Sequence, residues 1–304
     1  MVAVSSLTTV YVIGAAGQLG TALLRSPAVP GGATVRGLGS TDVDITSAAS
    51  VDRALADLRA GDVVINAAAF TDVDRAETAP EDAYAVNADG AGNLARAAAR
   101  AAAELIHVST DYVFASAAPH RPLEPDDLAD DARAATVYGS SKRAGERAVL
   151  AAHPAALIVR TAWVFTGVPP VRDFVTTMTR LAADGASPNV VDDQRGSPTY
   201  APDLAAGLWE LTGHLIGGRS VERRVLHGTN AGEATWCDLA RAVFAAVGAD
   251  PDRVNPCTTA EFPRPAARPA YSVLSNESWL AAGLTPLRDW RAALSDALGA
   301  ARSG

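Results

Sequence analysis

Tyr138 and Lys142 stand four residues apart, so on a helix they share one face, a single turn apart. Upstream, Ser109-Thr110-Asp111-Tyr112-Val113-Phe114 closes an apolar segment. A threonine, a tyrosine and a lysine brought together can move a hydride to or from a carbonyl. A phenol in water titrates near about 10, too high for an efficient proton shuttle at neutral pH. An ammonium beside it, with the positive nicotinamide of an oxidised cofactor, favours the phenolate and lowers that value. Tyr138 then protonates the carbonyl oxygen as hydride reaches its carbon. Thr110 hydrogen-bonds the same oxygen, and Lys142 also holds the nicotinamide ribose. Tyr-x-x-x-Lys alone arises often by chance, with the tyrosine at an interface and the lysine in solvent. The threonine segment and a glycine-rich loop in the same chain argue for chemistry.

That loop, Gly14-Ala15-Ala16-Gly17-Gln18-Leu19-Gly20, follows an apolar run and precedes a helical pattern. Gly14 permits a tight turn, Gly17 lets the backbone approach a pyrophosphate, and Gly20 lets the helix pack on its strand. The spacing is G-x-x-G-x-x-G, a variant of the G-x-G-x-x-G fingerprint. An acidic residue ending the second strand would bind ribose hydroxyls and repel a 2′-phosphate. Here Leu38-Gly39-Ser40-Thr41 is neutral, which admits NADPH, with NADH as an alternative donor; Arg36 stands nearby. Asp44 and Ile45 are placed to meet the adenine, although Asp44 equally suits a cap on the following helix. Ala67, Ala68 and Ala69 are small enough for a cofactor to lie against the backbone, and tight helix packing would explain them almost as well.

The elements that must position these residues alternate between strand and helix. Thr9–Ile13, Ala33–Leu38, Asp62–Asn66, Leu105–Ser109 and Ala156–Arg160 read as strands. Thr21–Arg25, the spaced Val51, Ala54, Leu55 and Leu58, the alanine-rich Glu81–Ala103, and Ser140–Ala152 read as helices. This rhythm predicts an α/β fold with a doubly wound parallel sheet covered on both faces. After Arg160 prolines interrupt the pattern, at Pro169-Pro170, Pro198, Pro256, Pro263, Pro265 and Pro269. Short strands at Asn189–Asp192 and Val225–Gly228 are expected to extend the sheet, with helices at Asp203–Thr212 and Trp236–Val247. Residues 1–165 with about 190–228 are expected to form the dinucleotide-binding unit. About 166–189 with 229–304 then form a smaller, mixed substrate-binding unit.

The chain has 304 residues, 48% hydrophobic and 20% charged, ample for a real core. Its net charge of −8, with scattered basic residues, argues against nucleic-acid binding. No apolar stretch is long enough for a membrane span, and the N-terminus lacks the pattern of a signal peptide. Two cysteines, Cys237 and Cys257, fit a reducing compartment better than a disulfide. The expectation is a soluble, cytoplasmic protein. His107, His120, His153, His214 and His227 show no metal-ligand spacing. A G-x-S-x-G elbow and a P-loop lysine are both missing. The acidic clusters Asp192-Asp193 and Glu124/Asp126/Asp127 read as solvated.

The glycine loop, NAAAFTDVDRAE at 66–77, VNADGAGNLA at 86–95, HVSTDYVF at 107–114, YGSSKRAGE at 138–146, VRTAWVF at 159–165, DDQRGSPTYAPDLA at 192–205 and RPAYSVLS at 268–275 together span nearly the whole chain. On these segments the sequence resembles the extended short-chain dehydrogenases/reductases and, within them, the dTDP-4-dehydrorhamnose reductase family. The resemblance implies a Rossmann-type fold and reduction of the C4 keto group of dTDP-4-dehydro-β-L-rhamnose to dTDP-L-rhamnose, the last step in making that sugar nucleotide. It implies Tyr138 as proton donor, Thr110 and Asp111 on the substrate, Lys142 on the cofactor, and Trp163 packed on the sugar. Gln18, Leu19, Asp44, Ile45 and Ala67–Ala69 match cofactor-contacting positions, with Asn87 in support. Some bacterial relatives carry a glutamate two residues after the third glycine, associated with a magnesium-bridged dimer. Here that position is Ala22, so no metal ligand is expected, and the chain is expected to be a monomer or homodimer. Two further readings stand beside this one: a 4-ketoreductase for another nucleotide-linked deoxysugar, and a non-catalytic regulatory subunit on the same fold.

Overall fold

The computed structural model describes residues 8–114, 121–128, 134–169 and 171–302, so His120 and Pro170 lie outside the described residues. A six-stranded parallel sheet is built from β1 (Thr9–Ile13), β2 (Thr34–Leu38), β3 (Val63–Asn66), β4 (Glu104–Thr110), β5 (Leu157–Thr161) and, at the edge beside β5, Val225–His227. The spatial order from the other edge is β2-β1-β3-β4-β5 and then that last strand. Strand order therefore reverses between β1 and β3, the point at which ligands bind in doubly wound sheets.

Alternation along the strands divides the core into two faces. Val10, Val12, Ile65, Ile106 and Val159 point to one face, against Leu19 and Leu23 of α1 (Gln18–Arg25) and Leu204, Leu208 and Trp209 of the helix Ala201–Ile216. Tyr11, Ile13, Val64, Leu105 and Ile158 point to the other. There they meet Val51 of α2 (Ala48–Ala54), Leu94 and Ala98 of α5 (Ala91–Ala101) and Val149 of α6 (Val137–Ala152). Burial on both faces is why β3 and β5 read as unbroken apolar runs.

The stretch expected as one helix over Glu81–Ala103 is instead α4 (Pro80–Tyr84), a π-helical turn at Ala85–Gly90, and α5. α3 (Val73–Thr78) precedes it. The widened turn brings the Asn87 carbonyl against α6, where a Cβ on Gly145 would sit 2.0 Å from it. A Cβ on Gly90 would sit 2.7 Å from Ile45. Both contacts hold the helix off its regular path, which is how π-turns arise.

Val225–His227 joins the sheet as expected, whereas the expected Asn189–Asp192 strand does not. Asn189–Val191 pairs in parallel with Asn255–Cys257 in a separate two-stranded ribbon. Its single buried residue, Val190, suits a ribbon covered on one side rather than a sheet covered on both. A further apolar cluster gathers Phe165, Val175, Met178, Val243, Phe244, Trp290 and Leu294 from the helices Phe174–Ala183, Trp236–Ala246 and Trp290–Arg302 and their neighbours.

α6 is joined to the sheet by a buried ion pair. Arg160 of β5 donates from Nε and Nη2 to the two oxygens of Glu146, each at 2.8 Å. It also donates to the Pro125 carbonyl at 3.3 Å and lies over the Phe114 ring. Among the described residues no helix is long and apolar enough to cross a membrane.

Candidate active site

At the reversal point the backbone of β1 turns sharply at Gly14, where φ is +82°. A Cβ there would fall 2.6 Å from the Ala68 nitrogen, so only glycine lets the loops after β1 and β3 touch. Gly20 serves the same packing, since its Cβ would lie 2.1 Å from the Gly14 carbonyl oxygen. Gly17 is the N-cap of α1 and offers no side-chain cap, leaving backbone N–H groups facing outward.

These residues open onto a groove of about 370 Å³. Gly14, Gly17, Ser40, Asp44, Ile45, Ala67, Ala68 and Ala69 line it, together with Val43, Thr46 and Val86. The Leu19 side chain is buried in the core between α1 and the sheet, which leaves its backbone to meet a ligand. Gln18 and Gly20 belong to α1 and are absent from the groove lining. Asp44 does not cap α2, because its carboxylate accepts from the Thr46 N–H and hydroxyl while Ser47 provides the cap. Arg36 pairs with Asp57 and lies over the Tyr11 ring. Asp42 escaped the sequence reasoning because it lies beyond the strand end; its carboxylate folds back to accept the Gly39 N–H at 2.8 Å.

The other half of the site forms where β4 runs into a 3-10 turn at Asp111–Val113. Thr110 Oγ1 accepts the Tyr112 N–H at 3.2 Å and donates to Asp111 Oδ1 at 3.0 Å. α6 starts against this turn, capped by Thr136 Oγ1 on the Gly139 N–H. A Cβ on Gly139 would lie 2.1 Å from the Tyr112 carbonyl oxygen, so glycine lets the two elements meet. Tyr138 is thereby carried to Thr110 and set edge-on to Tyr112, with ring centroids 5.5 Å apart.

The electrostatics depart from the sequence expectation. Burial pushes the Tyr138 phenol up to about 12, against the opposing hydrogen bond with the Thr110 hydroxyl. Lys142 does not lower it: its ammonium donates to the Val108 carbonyl at 2.8 Å, and burial holds it down to about 8. The phenol therefore stays protonated through the neutral range, the form that can give a proton, but it holds that proton more tightly than free tyrosine does.

Asn87, expected in support of the cofactor-contacting positions, is hydrogen-bonded within the protein. Its amide accepts from the Phe70 N–H, donates to the Phe70 carbonyl and donates to Ser141 Oγ at 2.9 Å. It ties the loop after β3 to α6 and is absent from the groove lining.

Asp111 is 2% exposed, and its Oδ2 has no hydrogen-bond partner. Burial raises its carboxyl to about 6, opposed by hydrogen bonds from Ser272 and Thr110. A raised carboxyl favours the folded chain at low pH, and that contribution is lost as pH climbs from about 4 to about 6. Asp111→Asn should therefore raise stability by about 2 kcal/mol above this window. The gain should vanish at pH values below it, as urea unfolding at two pH values would register.

Trp163 adopts φ of +46° and stacks on Trp236, centroids 3.6 Å apart and planes within 7°. Its indole lies over Gly196, where a Cβ would come within 2.5 Å. It is half-buried, between the Phe165 cluster and a small one holding Val113, Leu123 and Leu274. Trp163→Ala should thus cost about 2 kcal/mol in chemical denaturation, apart from any effect on a ligand.

Arg268 and Arg264 both pair with Asp74 on α3 and were missed as site residues. Burial alone would raise the Asp74 carboxyl, but hydrogen bonds from Arg268, the Ala266 N–H and Arg264 outweigh it and hold it down. The clamp draws the segment carrying Ser272 across Tyr112 and Asp111. Its sequence signal was the RPAYSVLS run at 268–275. Among the described residues no three His, Cys, Asp or Glu side chains gather in metal-binding fashion.

Comparison with known proteins agrees with this fold. Residues 8–303 match the model of the RmlD substrate binding domain. The chain is 51% identical over 291 residues to a dTDP-4-dehydrorhamnose reductase of Mycolicibacterium smegmatis, covering 96% of this chain and 85% of that protein. A solved dTDP-4-dehydrorhamnose reductase of Clostridium acetobutylicum superposes with a TM-score of 0.87 at 34% identity, over 97% of this chain and all of that one. One from Bacillus anthracis, solved in complex with NADP, gives 0.86 at 32%, covering 96% and 98%. A doubly wound sheet with a glycine-turned groove beside Tyr138, Thr110 and Lys142, matched over this length, makes the chain a member of the RmlD substrate-binding-domain family, that of the dTDP-4-dehydrorhamnose reductases.

Proposed function

We propose that this chain reduces the C4 keto group of dTDP-4-dehydro-β-L-rhamnose to give dTDP-L-rhamnose, using NADPH. The observation that carries the reading is the convergence of Tyr138, Thr110 and the unpartnered Asp111 Oδ2 at the end of β4, alongside the Gly14 groove. The names of the relatives support the substrate, and the NADP complex of one relative supports the cofactor.

The groove fits a dinucleotide. Gly14 and Gly20 remove the Cβ atoms that would close it, and the uncapped start of α1 offers N–H groups to phosphate. Ser40, Asp44 and Ile45 would border the adenosine, and Ala67–Ala69 the middle of the cofactor. When bound, the nicotinamide supplies the hydride. Tyr138 gives its phenolic proton to the sugar O4, Thr110 hydrogen-bonds that oxygen as charge develops on it, and Asp111 accepts from a neighbouring sugar hydroxyl. Lys142 holds ribose hydroxyls. Trp163 offers the open part of its indole to the sugar, so Trp163→Ala raises KM more than it lowers kcat. The cluster around Phe165 and Trp290 then forms the core of the substrate-binding unit expected from about 166–189 and 229–304, joined by Val190 and Tyr200, while Trp279, Leu284 and Leu287 pack with the main sheet. This reading places the enzyme in the cytoplasm, where nucleotide sugars are made.

The test follows NADPH oxidation with dTDP-4-dehydro-β-L-rhamnose and identifies the sugar by NMR. Formation of dTDP-L-rhamnose is expected. Faster turnover of a different dTDP-4-ketosugar would overturn the substrate, and NADPH binding without turnover on any would overturn the reaction.

A further inference from the structure

Lys142 is the only lysine in the sequence, and it is 2% exposed. Beneath it lies a chain of buried polar groups for which the reduction described above has no use. The Ala68 N–H donates to Asn66 Oδ1 at 3.0 Å. A backbone N–H can only donate, so the amide of Asn66 has one orientation, with Nδ2 directed at His107 Nδ1, 2.9 Å away. Nδ2 is itself a donor, which makes Nδ1 the acceptor and leaves the imidazole proton on Nε2. His107 Nε2 faces Lys142 Nζ at 3.5 Å, a separation longer than the 3.0 Å and 2.9 Å bonds of the relay before it. That length is what two facing donors produce.

We propose that Asn66 and His107 are positioning residues that set the charge of Lys142: the Ala68 N–H orients Asn66, Asn66 selects the histidine tautomer, and the tautomer aims an N–H at the amine. An ammonium has no lone pair with which to accept that N–H, whereas a neutral amine has one. The pair therefore favours the amine, in the same direction as burial, and His107 is itself kept neutral by burial and by Lys142. Among the described residues, α6 itself also carries Arg143 and Arg147, the packed α5 carries Arg96 and Arg100, and β4 carries Glu104. Glu146, one turn along α6, favours the ammonium but is tied to Arg160 of β5. Tyr138 lies one turn back, with Asp111 and Tyr112 beyond it on the 3-10 turn. Glu77 of α3 accepts the Val137 N–H at the start of α6, and Glu81, Asp82, Tyr84 and Asp89 on the packed segment 80–90 are exposed. Because Ala67–Ala69 line the cofactor groove, the relay runs from that groove to the lysine.

The inference rests on the proposed cofactor role of Lys142 for its meaning, but its test needs neither cofactor nor substrate. With lysine labelled at the ε position the full chain has a single lysine side-chain signal, which should titrate near about 8. His107→Leu removes the N–H and keeps the site dry, so the midpoint should rise by about one pH unit; a purely structural role predicts no rise. In histidine-labelled wild-type chain, His107 should stay neutral with its proton on Nε2, and its signals should shift as Lys142 titrates. A proton on Nδ1, or an unmoved or lowered midpoint in His107→Leu, would overturn the inference. Reductase assays of the unaltered chain test the functional reading separately.

Discussion

Tyr138→Phe is expected to lower kcat by about 10²- to 10⁴-fold, the range for removing a positioned general acid. NADPH affinity should be nearly unchanged, because the groove is lined by residues other than Tyr138. The phenylalanine ring should keep the edge-on contact with Tyr112 and the burial of the site, so stability should change little. The pH profile sharpens the test. With the phenol held up at about 12, wild-type reduction should show no loss of the acid form of Tyr138 near neutrality. A basic limb near about 8 would instead report Lys142. Near-normal turnover by Tyr138→Phe, measured with saturating NADPH, would remove Tyr138 as the donor.

Arg160→Met is expected to be the most destabilising single change among those considered, costing about 3–5 kcal/mol in urea unfolding. The side chains of Arg160 and Glu146 are 3% and 6% exposed, so the substitution strands a carboxylate in the core between β5 and α6. It also removes the bond to Pro125 and the cation over Phe114, loosening residues 121–128 against the sheet. Adding Glu146→Leu should restore most of the loss, because the cost lies in the unpaired charge rather than in missing attraction. A double variant as unstable as the single one would show that the pair acts through shape instead. Since Glu146 favours the Lys142 ammonium, the single variant should also move the lysine titration upward.

Much of this molecule is legible in its sequence because the relevant signals are local. A glycine turn between a strand and a helix is a short-range pattern, and Gly14 and Gly20 occupy the places that pattern assigns them. The apolar runs of β1, β3 and β5 mark strands buried on both faces, and four-residue spacing puts Tyr138 and Lys142 on one face of α6. Other features depend on partners far along the chain. Nothing near Asn189 indicates that its strand pairs with Asn255–Cys257. The π-turn at Ala85–Gly90 answers to Gly145 and Ile45, fifty or so residues away on either side. Leu19 and Asn87 carry side chains suited to a cofactor contact, yet packing gives one to the core and the other to Phe70 and Ser141.

By itself, then, the sequence determined which residues could do the chemistry, the glycine turn, and the parallel α/β architecture. Each follows from covalent geometry, side-chain type or period, which act over a few residues. Tertiary structure decided how those groups ionise and which are free to meet a ligand. Burial keeps Tyr138 protonated, lowers Lys142 toward neutrality and leaves Asp111 with an unpartnered oxygen. Desolvation and hydrogen bonding depend on what surrounds a group in space, and residue order does not carry that information.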